Sequence, residues 1–178
     1  MRTLELEPAI RAQRVALRAP QPGDAARIAQ LLDDPAIARM AAAIPHPYGL
    51  ADAEAFLARA QAADPSREAA FVIEHGQDGA IGMLDFQPAA QNAAPELGYW
   101  LGRPYWGQGL ATEAVRAALA WARQTWRRRF VRAGHFADNP ASGQVLCKAG
   151  FLYTGEVQLR DSLARPAPAT TRMMVWLA

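Results

Sequence analysis

Gly107 and Gly109 stand on either side of Gln108 and directly before an alanine-rich segment, in the stretch RPYWGQGLATEA at 103–114. Two glycines so placed lose conformational entropy on folding unless the backbone needs positive φ or another group must approach the main chain closely. A helix start has unpaired N–H groups and a partial positive charge, so the expected visitor is an anion. The pair is not a dinucleotide fingerprint, because Thr112 occupies the place of the third glycine, nor a P-loop, because no Gly-Lys-Ser/Thr follows. A tight strand-to-helix turn would account for the glycines by themselves. About thirty residues on, DNPASGQVLCKAGF (138–151) supplies a second polar group in Asn139, Ser142 and Lys148, with Gly150 and Phe151 behind it. The remaining reactive types form no pattern. His46, His75 and His135 are too scattered for a metal-ligand signature, so no metal is expected. Cys147 is the single cysteine, which excludes an internal disulfide, and between Leu146 and Lys148 on a helix it reads as a packing residue.

These residues must be positioned by elements that the periodicity outlines. RVALRAP (14–20) reads as a short strand ended by proline, and PGDAARIAQLLDD (22–34) as a helix with Ile28, Leu31 and Leu32 on one face. DPAIARMAAAIPHPYGL (34–50) reads as a short helix and a proline-rich loop, and ADAEAFLARAQAAD (51–64) as a second amphipathic helix. EAAFVIEHGQDGAIGMLDFQP (68–88) gives two strands around a GQDG turn. ELGYWLG (96–102) is a third strand, leading through the glycine pair into a helix over 108–123. RRFVRAGHF (128–136) is a strand, and NPASGQVLCKAG (139–150) a helix closed by Gly150. FLYTGEVQL (151–159) and TRMMVWLA (171–178) are closing strands joined by ARPAPAT. Strands and helices interleave irregularly and the hairpin excludes a purely parallel sheet, which predicts a mixed sheet with helices on both faces. No repeat or linker divides the chain, so its 178 residues are expected to form one domain over 1–178.

A composition 51% apolar and 20% charged excludes a disordered chain. MRTLELEPAIRAQR (1–14) has no apolar run long enough for a signal peptide or a membrane span, so a cytoplasmic protein without membrane contact is expected. The net charge of +2 hides an asymmetry: residues 1–102 carry 8 basic and 13 acidic side chains, residues 103–178 carry 11 and 4. Arg116, Arg123, Arg127, Arg128, Arg129 and Arg132 concentrate the positive charge. They read either as a solvated face or as the surroundings of a polyanionic ligand. No nucleic-acid-binding motif accompanies them.

Together, ELGYWLGRPYWGQGLATEA (96–114) and DNPASGQVLCKAGF (138–151) resemble the GNAT superfamily of acyl-CoA-dependent N-acyltransferases. The resemblance is closer to the RimJ/RimL-like branch, which includes enzymes that acetylate N-termini of ribosomal proteins. It is strong over 96–156 and looser over 14–95, where VALRAP, GDAARIAQLL and PHPY still fit. It implies an α+β fold with a mixed, mostly antiparallel sheet, a splayed parallel strand pair at the cofactor site, and helices on both faces. It implies acetyl-CoA as co-substrate, with Tyr99, Trp100 and Leu101 along the pantetheine arm. Trp106, Gly107, Gln108, Gly109, Ala111 and Thr112 would meet the pyrophosphate, and Asn139 and Lys148 would complete the cofactor site. Trp106 stands where the superfamily usually has Gln or Arg, and the branch commonly has tryptophan there. Seven residues after Asn139, where many members carry a tyrosine as general acid, this chain has Leu146. Ser142 is then implied as the hydroxyl that meets the departing sulfur, with a helix-cap or surface serine as the alternative. A thiol with a pKa near 8.5 lies only about 1.5 units above neutrality, so an unassisted leaving group forfeits roughly 2 kcal/mol.

The mechanism implied is direct attack of a neutral amine on the thioester in a ternary complex, with backbone N–H groups polarising the carbonyl. Glu96 and Asp161 are the candidate bases, each with the alternative of a solvated carboxylate. His46 and Tyr48 either line the acceptor mouth or form a rigid loop tip, and Trp121 and Trp126 read as core or surface anchors. The implied partners are acetyl-CoA and an amine acceptor, either a protein N-terminus or a small molecule, with no nucleic acid and no membrane. A homodimer is compatible, dimers being common among such folds. Two readings compete: a catalytically silent acyl-CoA-binding or sensing domain, and a nucleic-acid-binding module built on the arginine run.

Overall fold

The computed structural model describes residues 9–76, 78–88 and 94–178. Eight strands form one sheet: β1 (Ile10–Arg11), β2 (Val15–Arg18), β3 (Ala69–His75), β4 (Gly79–Gln87), β5 (Glu96–Leu101), β6 (Phe130–Phe136), β7 (Leu152–Arg160) and β8 (Ala169–Leu177). Their spatial order is β1-β2-β3-β4-β5-β6-β8-β7. Every neighbouring pair is antiparallel except β5–β6, so the expected α+β class and mostly antiparallel sheet are what the structure shows. Five helices accompany it among the described residues: α1 (Ala25–Leu32), α2 (Pro35–Ala38), α3 (Leu50–Ala62), α4 (Leu110–Gln124) and α5 (Pro140–Lys148). Gln77 of the GQDG turn and residues 1–8 of the first segment lie outside the described residues. No helix among those described is long and apolar enough to cross a membrane.

The central strands are buried on both faces, which is why AAFVIEH and GAIGMLDF run nearly continuously apolar instead of alternating. On one face α4 turns Leu110, Ala114, Val115, Ala118, Leu119 and Ala122 inward against Leu17, Phe71, Ile73, Leu84 and Leu97. Trp121 and Trp126 stack there at 5.6 Å beside Phe86, as anchors of this core. On the other face Ile28 and Leu32 of α1 and Ala53 and Leu57 of α3 cover Val72, Ala80 and Met83.

Element boundaries move from the expected ones for local reasons. α4 starts at Leu110 rather than 108 because Gly109, at φ +78°, cannot be part of a right-handed helix. A 3₁₀ turn at Pro22–Asp24 precedes α1, where Asp24 accepts from the Gln21 N–H at 2.8 Å and from both Nη atoms of Arg18. β6 starts at Phe130 rather than 128 because the Arg128 N–H still bonds the Ala122 carbonyl at 2.8 Å, closing the end of α4. The two-residue β1 has no periodicity to announce it.

Candidate active site

β5 stays paired with β4 along its length, from Gln87↔Glu96 to Gly82↔Leu101. With β6 it pairs only at Glu96↔Arg132 and Leu97↔Ala133, whereas β6 follows β8 from Phe130↔Leu177 to Phe136↔Thr171. The two central strands therefore fork just past Leu97. The β5 backbone groups that turn toward β6 lose their ladder partner there, and buried groups of that kind require another. The fork opens into a cleft of about 1490 Å³.

One wall of the cleft is the glycine loop. Gly107 (φ +73°) and Gly109 (φ +78°) both lie in the left-handed region, which costs a residue bearing Cβ roughly 1–2 kcal/mol. The Trp106 indole N–H donates to the Leu101 carbonyl at 2.8 Å, and the Gln108 amide donates to the Pro104 carbonyl at 2.8 Å. The loop is thereby tied to the end of β5. The Glu113 N–H bonds the Gly109 carbonyl at 3.1 Å, so the N–H groups at 110–112 have no carbonyl of their own helix in reach. Trp106, Gly107, Gly109, Ala111 and Thr112 line the cleft, and Gln108 does not.

Arg14, which the sequence did not single out, clasps this loop from the position just before β2. Its Nε meets Glu113 Oε2 at 2.9 Å, and its Nη1 donates to the Gln108 carbonyl at 2.9 Å. Burial opposes the Glu113 charge, but hydrogen bonds from the Arg14 N–H, the Arg14 side chain and the Val15 N–H outweigh it and hold the pKa below the usual value. The partners are ninety-nine residues apart, so no local pattern reports the contact.

The opposite wall is the start of α5. Asn139 Oδ1 accepts from the Ser142 N–H at 3.2 Å, a helix cap. Ser142 Oγ lies 2.8 Å from the Tyr99 hydroxyl, which also reaches the Ser142 carbonyl at 3.2 Å. Burial pushes the Tyr99 pKa up to about 12 despite the Ser142 hydrogen bond, so the pair is neutral at physiological pH. Leu146 is 1% exposed in the core and offers nothing to the cleft, whereas Lys148 lines it. Trp100 and Leu101 line it from β5.

Of the two expected carboxylates, Glu96 lines the cleft with both oxygens held by the Arg160 guanidinium, through Nη1 to Oε1 and Nη2 to Oε2 at 3.0 Å. Asp161 is exposed and is not part of the lining. A third carboxylate was missed. Asp85 of β4 faces Gly98 of β5, one residue past the last rung of the fork. A Cβ on Gly98 would lie 2.7 Å from Asp85 Oδ1, so the carboxylate rests over bare main chain. Oδ2 accepts from Gln87 Nε2 at 2.6 Å. Burial pushes the Asp85 pKa up to about 6, more than the Gln87 hydrogen bond lowers it, and the Glu68 charge adds to the rise. The signal was an acid interrupting the apolar run AIGMLDF, since a strand covered on both faces rarely carries an unpaired charge.

Several other expectations change. Cys147 is exposed rather than packed, because α5 buries Gly143 and Leu146 and Cys147 lies off that face. Tyr48 is buried and lines the cleft, while His46 sits 3.6 Å from Asp33 outside it. His75 pairs with Asp78 at 3.0 Å, and buried His135 bonds the Phe136 carbonyl and the Tyr153 hydroxyl. None of the six clustered arginines lines the cleft. Arg116 donates to the Lys148 carbonyl, Arg128 covers the Trp126 ring at 4.4 Å, and Arg132 meets Glu156 at 2.9 Å. Among the described residues no three metal-ligating side chains come together.

A family model described as an acetyltransferase (GNAT) domain matches residues 14–152. The ribosomal-protein-serine acetyltransferase of Escherichia coli K12 is 36% identical over 81 residues, which cover 44% of this chain and 45% of that protein. The match thus spans less than half the relative's length. Mycobacterium smegmatis RimJ in complex with CoA-disulfide superposes with a TM-score of 0.80 at 22% identity, covering 92% of this chain and 82% of that one. The spermidine N-acetyltransferase of Vibrio cholerae in complex with CoA and spermine gives 0.77 at 19% identity, covering 92% and 95%. At these identities the two structures establish a shared fold.

Proposed function

Because the chain belongs to the GNAT acetyltransferase family, we propose that it transfers an acetyl group from acetyl-CoA to a primary amine within a ternary complex. The observation that carries this reading is the fork itself, opening beside a helix start whose two glycines are held at positive φ. An extended chain bearing amides, such as pantetheine, satisfies the free edge of β5 as an added strand would. Its pyrophosphate then meets the N–H groups of Gly107 and of Gly109 to Thr112 and the positive end of the α4 dipole. In that pose the thioester sulfur falls near the Tyr99–Ser142 hydroxyl pair, and Trp100, Leu101 and Trp106 enclose the arm. Asn139 holds Ser142 in place, and Lys148 adds a positive charge to the same wall. One domain over 1–178 acting in the cytoplasm goes with this reading.

The acceptor we infer is an α-amine or another amine of low pKa. The match to a ribosomal-protein-serine acetyltransferase supports it. Chemistry points the same way. An α-amine with a pKa near 8 is roughly a tenth neutral at pH 7, whereas a lysine amine near 10.4 is neutral in less than about one part in a thousand. A site whose carboxylates are weak bases therefore favours the former. The test is an acceptor panel followed by thiol release from acetyl-CoA, including spermidine and peptides that carry both a free N-terminus and an internal lysine. Mass spectrometry between pH 6.5 and 9 should find the acetyl group on the α-amine, with the rate rising through the acceptor's own ionisation. Lysine acetylation dominating at pH 7 would overturn the α-amine preference. Tight acetyl-CoA binding with no thiol release for any amine would instead identify a silent acyl-CoA-binding domain.

A further inference from the structure

We propose that Asp85 takes the proton from the attacking amine, acting from the face of the sheet opposite the Tyr99–Ser142 hydroxyl pair. The proposal rests on the acetyltransferase reading and names a residue for it. Strand alternation sets the geometry. Leu97, Tyr99 and Leu101 of β5 turn toward α4 and join its core, whereas Trp100 and, on β4, Met83 pack with α1 and α3. Asp85 is two residues from Met83 and opposite Gly98, so its carboxylate stands on the α1–α3 side at the point where β5 leaves β6. A thioester lying along the free edge of β5 thus has the hydroxyl pair on one side and the Asp85 carboxylate on the other. Gly98 keeps the space between that carboxylate and the fork clear of any side chain.

The other charged side chains that line the cleft are Glu68 before β3, which acts on the Asp85 charge, the Glu96–Arg160 pair of β5 and β7, Asp52 and Arg59 of α3, Asp138, and Lys148 of α5. Of the two acids at the fork, Glu96 has both oxygens bound by a guanidinium, while among the described residues the one side chain that donates to Asp85 is Gln87, on Oδ2. Oδ1 over Gly98 is therefore the oxygen that receives the proton, directly or through one water. The step balances as follows. The ammonium proton passes to Asp85 and the freed lone pair forms the C–N bond. The C–S bond then breaks, the sulfur takes the electron pair, and the second N–H proton, shed by the nitrogen as it becomes an amide, reaches the sulfur through the hydroxyl pair. Asp85 returns its proton to solvent, leaving amide, thiol and one proton.

The test compares the wild-type protein with Asp85→Asn, using the acceptor that the panel identifies. At pH 7.5 we expect kcat to fall about 10²–10⁴-fold, the usual range for a lost general base, with acetyl-CoA affinity by calorimetry within threefold. The ratio of wild-type to variant kcat/KM, in which the acceptor's own ionisation cancels, should start to fall as the pH drops through about 6 and then decline about tenfold per further unit. A ratio within threefold of one at pH 7.5, or one independent of pH, would overturn the assignment. Should Asp85→Asn fail to fold, Gly98→Ala serves instead, because its Cβ displaces Oδ1 without removing the carboxylate; the same loss of kcat is expected, and unchanged kcat would overturn the proposal. A wild-type protein that acetylates no amine in the panel would bring down the acetyltransferase reading and the role of Asp85 with it.

Discussion

Burial holds the Asp85 pKa at about 6, against 3.8 for the free group, and that shift acts on stability as well as chemistry. A carboxyl whose folded pKa is raised lends stability that is fully present below its unfolded pKa and is lost as the pH climbs through the folded one. Two pKa units correspond to about 3 kcal/mol, a figure to be reduced because the carboxylate lines the open cleft. Asp85→Asn should therefore melt several degrees higher than the wild type at pH 8 while losing activity, and the difference should vanish near pH 4. Thermal melts across that range check it, and a variant less stable at pH 8 would mean that the carboxylate is a structural partner. Residues of the glycine loop were legible because each sits in one contiguous motif with a reason of its own. Asp85, Arg14 and the Tyr99–Ser142 contact were not, because each acquires its meaning from a partner brought in by strand register or by a helix docked across the sheet.

The loop and α4 work as one element whose first turn is held from outside by Arg14. Gly109 is the sensitive point: a Cβ there would sit 3.4 Å from Arg14 Nη2 and at a φ that branched residues avoid. Gly109→Val should lower acetyl-CoA affinity well over tenfold, since its methyls occupy the approach to the N–H groups at 110–112. The fold should survive with a modestly lower melting temperature, because the strain is confined to one exposed turn. Calorimetry with acetyl-CoA is the measurement, and unchanged affinity would remove the loop from the cofactor site. Helices α3, α4 and α5 and the β3–β4 hairpin could be outlined from periodicity and capping alone. The fork could not. The alternation in ELGYWL is the same whether or not a neighbour pairs beyond Leu97, so only the motif resemblance announced the splay. The crossing of β8 into the place beside β6 is likewise invisible, because the loop from β7 carries no signal of which edge it serves.

Taken as a whole, the molecule is a sheet with one core on each face and a cleft that begins where two of its central strands part. In the proposed reading the donor's phosphates meet the α4 side and the amine arrives from the α1–α3 side, so both substrates are present at once and meet at the fork. A double-displacement route would need a nucleophile in the cleft to carry the acetyl group between half-reactions, with an activating base beside it. Cys147 is exposed outside the lining, and the neighbour of Ser142 is the neutral hydroxyl of Tyr99 rather than a base. His135 has its two ring nitrogens engaged by Phe136 and Tyr153. Initial-rate measurements varying both substrates should accordingly give intersecting double-reciprocal lines. Labelled coenzyme A should not exchange into acetyl-CoA while the amine is absent. Parallel lines accompanied by such exchange would reveal an acetyl-enzyme, and the residue bearing it, trapped by acid quench and found by mass spectrometry, would displace direct attack at the fork.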